Sequence, residues 1–543
     1  MPSIDVQAGM LSGGARGLLT LPNMAIGLAA AVLVYSVGVC VYRIWFHPLS
    51  KYPGPLLLAS SDLFYNFESY VTGSMARRAE RLHRKYGKIV RIGPNRLAVD
   101  GAVAFPEIYA HKAGGDGTEF HKQIGFSFDG DAGCIIGAPN REEHRRHRRQ
   151  LAHAFSEGAL AAQESLLQHY VDLFIRRLAE NAKDSKPVAL MDWLNYLAFD
   201  IIGDLSLGES FGSLSSSNYH PWVRNMFQNF RGGALVRFWK SMGPLKALAL
   251  LDTGGSIKTN KDNFNYAIEK ARARMALGPN PVMNTKARTA SADQMSGPRR
   301  DFFSYMMKKQ GTETDGLTDR QLELNAFILI TAGSETTSTA LSVLFYLLSR
   351  RSNRTIRDAV AAEVRAAFSR EADINLSVVG PNALPLLHAC IEETLRFHPP
   401  AAEIPPRVSP GAVVDGKYIP KGTIVRVYAS ASFRNPDSFV DPLTFRPERF
   451  LPADHPMYNE RYALGNARAY FKPFSHGPRD CIGKNLAYAE MRLVASRILL
   501  RFDIDEAEGT GDDWLDNQRT FTAWEKPQLW VTLHERKGLE IKG

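Results

Sequence analysis

Cysteine is scarce in this chain: four residues in 543. They are Cys40, Cys134, Cys390 and Cys481, with no Cys-x-x-Cys pair and no metal-knuckle spacing. That argues against a disulfide framework or a zinc ribbon, and it suits a reducing compartment. No flavin or dinucleotide fingerprint occurs. Zinc-finger, RNA-binding-sheet and basic-zipper patterns are also missing. The net charge of +10 is therefore better matched by an anionic membrane surface or an acidic protein partner than by nucleic acid. No long linker divides the chain after the first fifty residues. One large domain behind an anchor is the expected organisation.

The anchor is legible as an absence of charge. Residues 1–23 are polar and Gly-rich and read as a flexible N-terminus. Met24 to Tyr42 then runs nineteen residues without a charge, enough to span a bilayer. No small-residue cleavage site follows; Arg43, Trp45 and Phe46 do. The segment 24–46 therefore reads as an uncleaved transmembrane anchor rather than a signal peptide. Arg43, Lys51, Arg77 and Arg78 follow it, against Arg16 before it, which places the main domain on the cytoplasmic side. Residues 47–55 carry three prolines and read as a stiff hinge. Residues 56–543 form the remaining domain.

The most specific stretch is Phe474 to Gly483, Phe-Ser-His-Gly-Pro-Arg-Asp-Cys-Ile-Gly. Cys481 sits in a glycine-bounded loop before a helix-like run from Lys484 to Leu500. A helix N-terminus and nearby Arg479 are expected to lower its thiol pKa and hold the sulfur as an anion. Gly477 and Gly483 are expected to let the backbone turn and approach something flat. A chance match to Phe-x-x-Gly-x-Arg-x-Cys-x-Gly in a chain this long is on the order of one in ten thousand. The stretch resembles the heme-binding loop of the cytochrome P450 family, in which the cysteine thiolate is the axial ligand of the iron.

Other motifs carry the same resemblance in the same order. Thr318-Asp-Arg-Gln321 has the form of a capping box opening a long buried helix. That helix contains Ala332-Gly-Ser-Glu-Thr336, similar to the family's oxygen-side motif. By resemblance Thr336 would hold water beside the iron and Glu335 would relay protons from solvent. Gly333 would leave room for a flat group. A hydroxyl bonding back to its own helix is the bland alternative. In Arg141 to Ser156, Arg148 stands seven residues before Phe155, where the family places a propionate-binding arginine. His144 replaces a usual Trp and can still donate to a propionate. Arg141, Arg145 and Arg149 read as a solvated face or a docking face for an acidic electron donor. Glu393-Thr-Leu-Arg396, with Arg449, resembles the family's structural triad. Arg407 matches an arginine that reaches a propionate. Phe433-Arg-Asn-Pro436 lacks the histidine usual there.

The resemblance, from about residue 40 onward, implies a mainly α fold with small β-sheets, the cytochrome P450 fold, preceded by a single N-terminal transmembrane helix. It implies heme b held through Cys481, Arg148, His144, Arg407, Arg479, Phe474 and Gly333. NADPH is used indirectly, through NADPH-cytochrome P450 reductase, with cytochrome b5 as a further donor. The expected reaction inserts one oxygen atom from O2 into a hydrophobic small molecule. The hinge from Arg43 to Pro55 and the stretch Phe199 to Gly212 resemble membrane-anchored fungal members that tailor secondary metabolites, with a polyketide or terpenoid as substrate. The expected location is the endoplasmic reticulum membrane. Two alternatives stand beside this: an oxygen-independent isomerase or dehydratase, and a heme-binding protein without turnover. Substrate contacts are expected from Gly114 to Cys134, Phe211 to Leu251, Phe327 to Gly333, Ala401 to Ile404 and Thr520 to Trp524. Phe211 to Leu251 reads as a mobile lid, and Thr285 to Arg299 as a surface loop.

Overall fold

The computed structural model describes residues 21–111, 118–123, 133–183, 186–243, 255–279, 300–308 and 316–536. The loop expected at Thr285 to Arg299 lies outside them, as do residues 1–20 of the expected flexible terminus. Eleven helices of twelve or more residues run through the described part. They are α1 (Leu21–Val41), α2 (Met75–Tyr86), α3 (Arg141–Ala152), α4 (Glu164–Asn181), α5 (Leu190–Leu207), α6 (Pro221–Lys240), α7 (Ser256–Ala276), α8 (Asp319–Ser349), α9 (Arg354–Ala367), α10 (Pro385–Phe397) and α11 (Lys484–Arg501).

Strands β1 (Ile89–Gly93), β2 (Arg96–Val99), β3 (His121–Lys122), β5 (Glu403–Val408) and β8 (Ile424–Tyr428) form one sheet in the order β1-β2-β8-β5-β3. β4 (Pro187–Ala189), β12 (Trp530–Glu535) and β9 (Phe502–Glu506) form a second. Two hairpins remain, β6 (Ala412–Val414) with β7 (Lys417–Ile419), and β10 (Arg519–Phe521) with β11 (Ala523–Glu525). The first turns on Asp415 and Gly416, both at positive φ, as a two-residue loop matching strand twist requires. The chain is thus mainly helical with small sheets.

Helix α8 is the spine. Its capping box is formed in both directions: Thr318 Oγ1 accepts from the Gln321 N–H, and Gln321 Oε1 accepts from the Thr318 N–H. From Leu322 to Ser349 it is buried on almost every side, largely against α5, itself nearly all buried. Such all-round burial is what an all-round apolar sequence forces in water. α1 starts at Leu21, so Leu21 to Asn23 are helical rather than part of a flexible arm. Its apolar stretch, Leu21–Phe46, is long enough to cross a membrane, and none of its most apolar window is buried in the protein.

Candidate active site: a sulfur at the floor of an apolar cavity

The Phe474–Gly483 loop is closed by a hydrogen bond from the Cys481 N–H to the Phe474 carbonyl, 2.9 Å. Gly477 has φ +79°, and a Cβ there would lie 2.0 Å from the Tyr109 carbonyl oxygen, so no other residue fits. Gly483 is different. Its φ of −83° suits any residue, and a Cβ would meet Cys481 Sγ at an ordinary 3.9 Å. Of the two glycines, only Gly477 is demanded by backbone shape. α11 follows at Lys484. The sulfur opens into a cavity of about 320 Å3 deep in the protein.

This enclosure changes the expected thiol chemistry. Burial pushes the Cys481 thiol above its ordinary pKa, against the Gly483 N–H, Arg148 and Lys122, which pull it down, while Asp480 adds to the rise. The helix end and nearby arginines alone therefore do not make a thiolate. A cation bonded to the sulfur would.

The facing wall is α8, through Ile328, Ala332, Gly333 and Thr336, with Ile202 of α5 beside it. Gly333 lacks a side chain for a reason other than the one expected: a Cβ would lie 2.7 Å from Ile202 Cδ1, so the missing atoms let α5 press against α8. Thr336 faces the cavity and donates to the Ala332 carbonyl at 2.7 Å. Glu335 points elsewhere. Its Oε1 takes a salt bridge from Lys526 and a 3.0 Å hydrogen bond from Thr339. The Lys526 and Glu335 side chains are only 4% and 5% exposed, so a direct link from Glu335 to solvent is not what this arrangement provides. Sequence reasoning missed Lys526. Its signal is a lone lysine between Trp524 and Trp530 in an aromatic stretch.

One edge of the cavity is basic: Lys122, Arg407 and Arg479 line it as cations, with a neutral His144 among them. Arg407 is buried, 4.8 Å from the Tyr109 ring centroid. Its Nε and Nη1 have no acceptor among the described residues, and burial lowers its pKa to about 10. His144 is driven to about 2, by burial first and then by Arg479, Lys122, Arg148 and Arg407. Arg479 donates to the Ala138 carbonyl at 2.6 Å and stands 3.5 Å from Glu119. Arg148, expected at this edge, is instead taken by Asp480: 2.8 Å to the carbonyl and 2.6 Å to Oδ1. It braces the residue before Cys481. Lys122 lies within the Gly114 to Cys134 stretch expected to contact substrate, but its place opposite Arg407 is revealed only by the β3–β5 pairing.

Phe474 lines the cavity and packs its ring 5.0 Å from Tyr488. The Phe211 to Leu251 and Thr520 to Trp524 stretches contribute no cavity-lining residue among those described. Trp524 is committed to the core, its indole donating to the Pro399 carbonyl at 2.9 Å. Phe433 is also a core residue, packed on Phe105 and Phe471.

Glu393, Arg396 and Arg449 meet behind the site. Arg396 is bidentate to Glu393, both distances 2.7 Å, and Arg449 Nε lies 3.3 Å from Oε1. The Phe433, Pro442 and Asp441 carbonyls take further guanidinium N–H groups.

A single sulfur below, an apolar chamber above and basic side chains along one edge, with two Arg407 nitrogens lacking an acceptor among the described residues, suit a flat, largely apolar, dianionic metal macrocycle. Heme b has that shape and charge. The residues present fit it: Cys481 for the iron, and Arg407, Lys122, His144 and Arg479 for the two carboxylates. The fold and site therefore define a heme-thiolate protein. The family model for "Cytochrome P450" matches residues 55–530. Over 501 residues the chain is 39% identical to cytochrome P450 monooxygenase astJ of Aspergillus oryzae, covering 91% of this chain and 94% of that one. It is 36% identical to the monooxygenase aclL of the same fungus, over 92% and 96% of the two chains. With sthF of Phaeosphaeria nodorum the identity is 35%, over 98% and 99%. The chain belongs to the cytochrome P450 family of monooxygenases.

Proposed function

We propose that this enzyme inserts one oxygen atom from O2 into a hydrophobic small molecule, as a tailoring step in fungal secondary metabolism, with a polyketide or terpenoid skeleton as substrate. The observation that carries the reading is Cys481 Sγ opening onto an apolar cavity edged by Lys122, His144, Arg407 and Arg479. Heme held there supplies O2 activation, with electrons from NADPH delivered by a reductase. The protein's own groups do the rest. The cationic edge orients the group. Ile202, Ile328 and Ile404 exclude water and favour an apolar substrate. Thr336 presents a hydroxyl at the cavity wall. Glu335 would deliver protons there by turning away from Lys526, whose ammonium keeps the carboxylate occupied meanwhile.

The flank of the domain supports a membrane site. Leu56, Leu57, Leu63 and Phe67 are exposed apolar residues just beyond α1. We place α1 in the endoplasmic reticulum membrane with the catalytic domain in the cytoplasm. Arg145 and Arg149 are exposed on α3, beside a cleft of about 580 Å3 that also holds His153, Arg300 and Lys308. That basic face suits an acidic electron donor, NADPH-cytochrome P450 reductase or cytochrome b5.

The test is the carbon monoxide difference spectrum of reduced membranes, measured beside Cys481→Ala. A Soret band shifted far to the red, lost in the variant, is expected. Added reductase and NADPH should then yield an oxygenated product. No such band in a folded, heme-supplemented sample would sink the reading. Product formed without reductase would favour an isomerase.

A further inference from the structure

One wall of the cavity is not helical. Ile135 and Ile136 line it from a loop. Lys122 Nζ donates to the Ile136 carbonyl at 2.7 Å, and Arg479 Nη1 to the Ala138 carbonyl at 2.6 Å. The loop is also held by an N–H: Ile135 donates to Oδ1 of Asn325 on α8, 2.9 Å away. Asn325 is fully buried. Its Nδ2 donates to the Gln321 carbonyl at 2.7 Å and lies 3.0 Å from Nδ1 of His147 on α3. These partners settle the amide's orientation, because only Oδ1 can accept from Ile135 and only Nδ2 can donate to Gln321. His147 must then accept at Nδ1 and carry its proton on Nε2. One amide joins the loop, α8 and α3.

The apolar contacts nearby do not have that directionality. Cys134, Leu324 and Ile328 form a small cluster apart from the main core, with Ile135, Ile136 and Phe264 against it. The approach is close: a Cβ on Gly133 would lie 2.6 Å from Leu324 Cδ1. Burial of this kind holds a loop against a helix but is non-directional, so it does not choose a register. Without the amide, the partly buried Ile135 N–H loses its acceptor, and the loop is free to shift as that group finds another.

We infer that Asn325 is a specificity-determining positioning residue. It holds the Ile135–Ile136 wall at one distance from α8, so a polar latch and not helix packing sets the room above the sulfur on that side. The inference rests on reading this cavity as the heme and substrate chamber. Two iron-ligating probes of different size test it on the heme-loaded, full-length protein: imidazole and 4-phenylimidazole, each followed by its Soret shift. In Asn325→Leu the imidazole Kd should stay within about twofold of the native value. The preference for 4-phenylimidazole over imidazole should change at least about fivefold, towards the bulkier ligand. Asn325→Asp keeps an acceptor for Ile135 and should return that ratio to within about twofold. If Asn325→Leu yields no heme-loaded protein, Asn325→Ala removes the amide without adding bulk and carries the same expectation. An unchanged ratio in the apolar variant, even with a lowered Tm, overturns the inference by making Asn325 merely structural. So does an equal change in Asn325→Asp. Failure of the native protein to give any imidazole Soret shift would instead overturn the reading of the cavity.

Discussion

The protein treats two sets of buried cations in opposite ways. Arg396 and Arg449 share Glu393, and the surrounding carbonyls take further N–H groups. Arg407 is as deeply buried, but two of its guanidinium nitrogens, Nε and Nη1, have no acceptor among the described residues. Burying a guanidinium costs several kcal/mol unless a partner compensates it. In the first group the chain supplies the counterion, and the result is a rivet. In the second, on the function proposed above, the counterion would come from a bound carboxylate, and the result would be a receptor. The difference separates structural charge from functional charge without reference to position in the sequence.

The sharpest way to break the comparison is to remove the counterion from the rivet. Glu393→Gln leaves two arginines buried without a charge partner. It should cost about 3–5 kcal/mol, a large part of the stability of a typical domain. Thermal melts should show a collapse in Tm and little retained heme. A Tm within a few degrees of the native value would mean that the surrounding carbonyls alone hold the arginines. The second variant acts on the receptor. Arg407→Leu removes a charge whose Nε and Nη1 have no acceptor among the described residues. Heme loss should speed up by about tenfold or more, as expected for one charge-assisted bond of about 1.5–3 kcal/mol. The heme-stripped chain should be no less stable to urea than the native one. Equal destabilisation with and without heme would erase the distinction between the two groups.

What could be read from the sequence follows the range of each interaction. The cysteine loop was legible because its residues act within ten positions, and so was the capping box at Thr318. Glu393 and Arg396 lie three apart on α10, so their pairing was visible locally. The place of Lys122 on the cationic edge, within a stretch expected only to contact substrate, was not, and neither was Lys526. Lys122 is carried to its place by the pairing of β3 with distant β5, Lys526 by contact with Glu335 and Thr339 of distant α8, and neither sits in a periodic pattern. Arg148 was expected to clamp a ligand and instead holds Asp480, 332 positions away, a choice only the packed loop can make. Gly333 was noticed for a sound reason, the need for space, but Ile202 on another helix uses that space. Long-range contacts decided each of these cases, and local spacing carries no record of them.

The smallest effect concerns a third way to bury a base, which is to leave it neutral. Burial first, and then Arg146, depresses His147 from 6.5 to about 4. Its folded pKa is thus below its unfolded one, and the unfolded chain binds more protons between those two values. Stability is fully present above pH 6.5 and is lost as the pH falls towards 4, at up to about 1.4 kcal/mol per unit. His144, lowered to about 2 by burial and the cationic edge, should behave alike in the heme-free chain. Carboxylates seated on that edge would cancel much of the positive field and shrink its share. Urea midpoints measured from pH 7.5 to 5 should therefore fall less steeply for His147→Gln, by nearly one proton, with or without heme. For His144→Gln the same flattening should appear in the heme-free chain. A slope for His147→Gln as steep as the native one would show that burial does not hold that imidazole neutral.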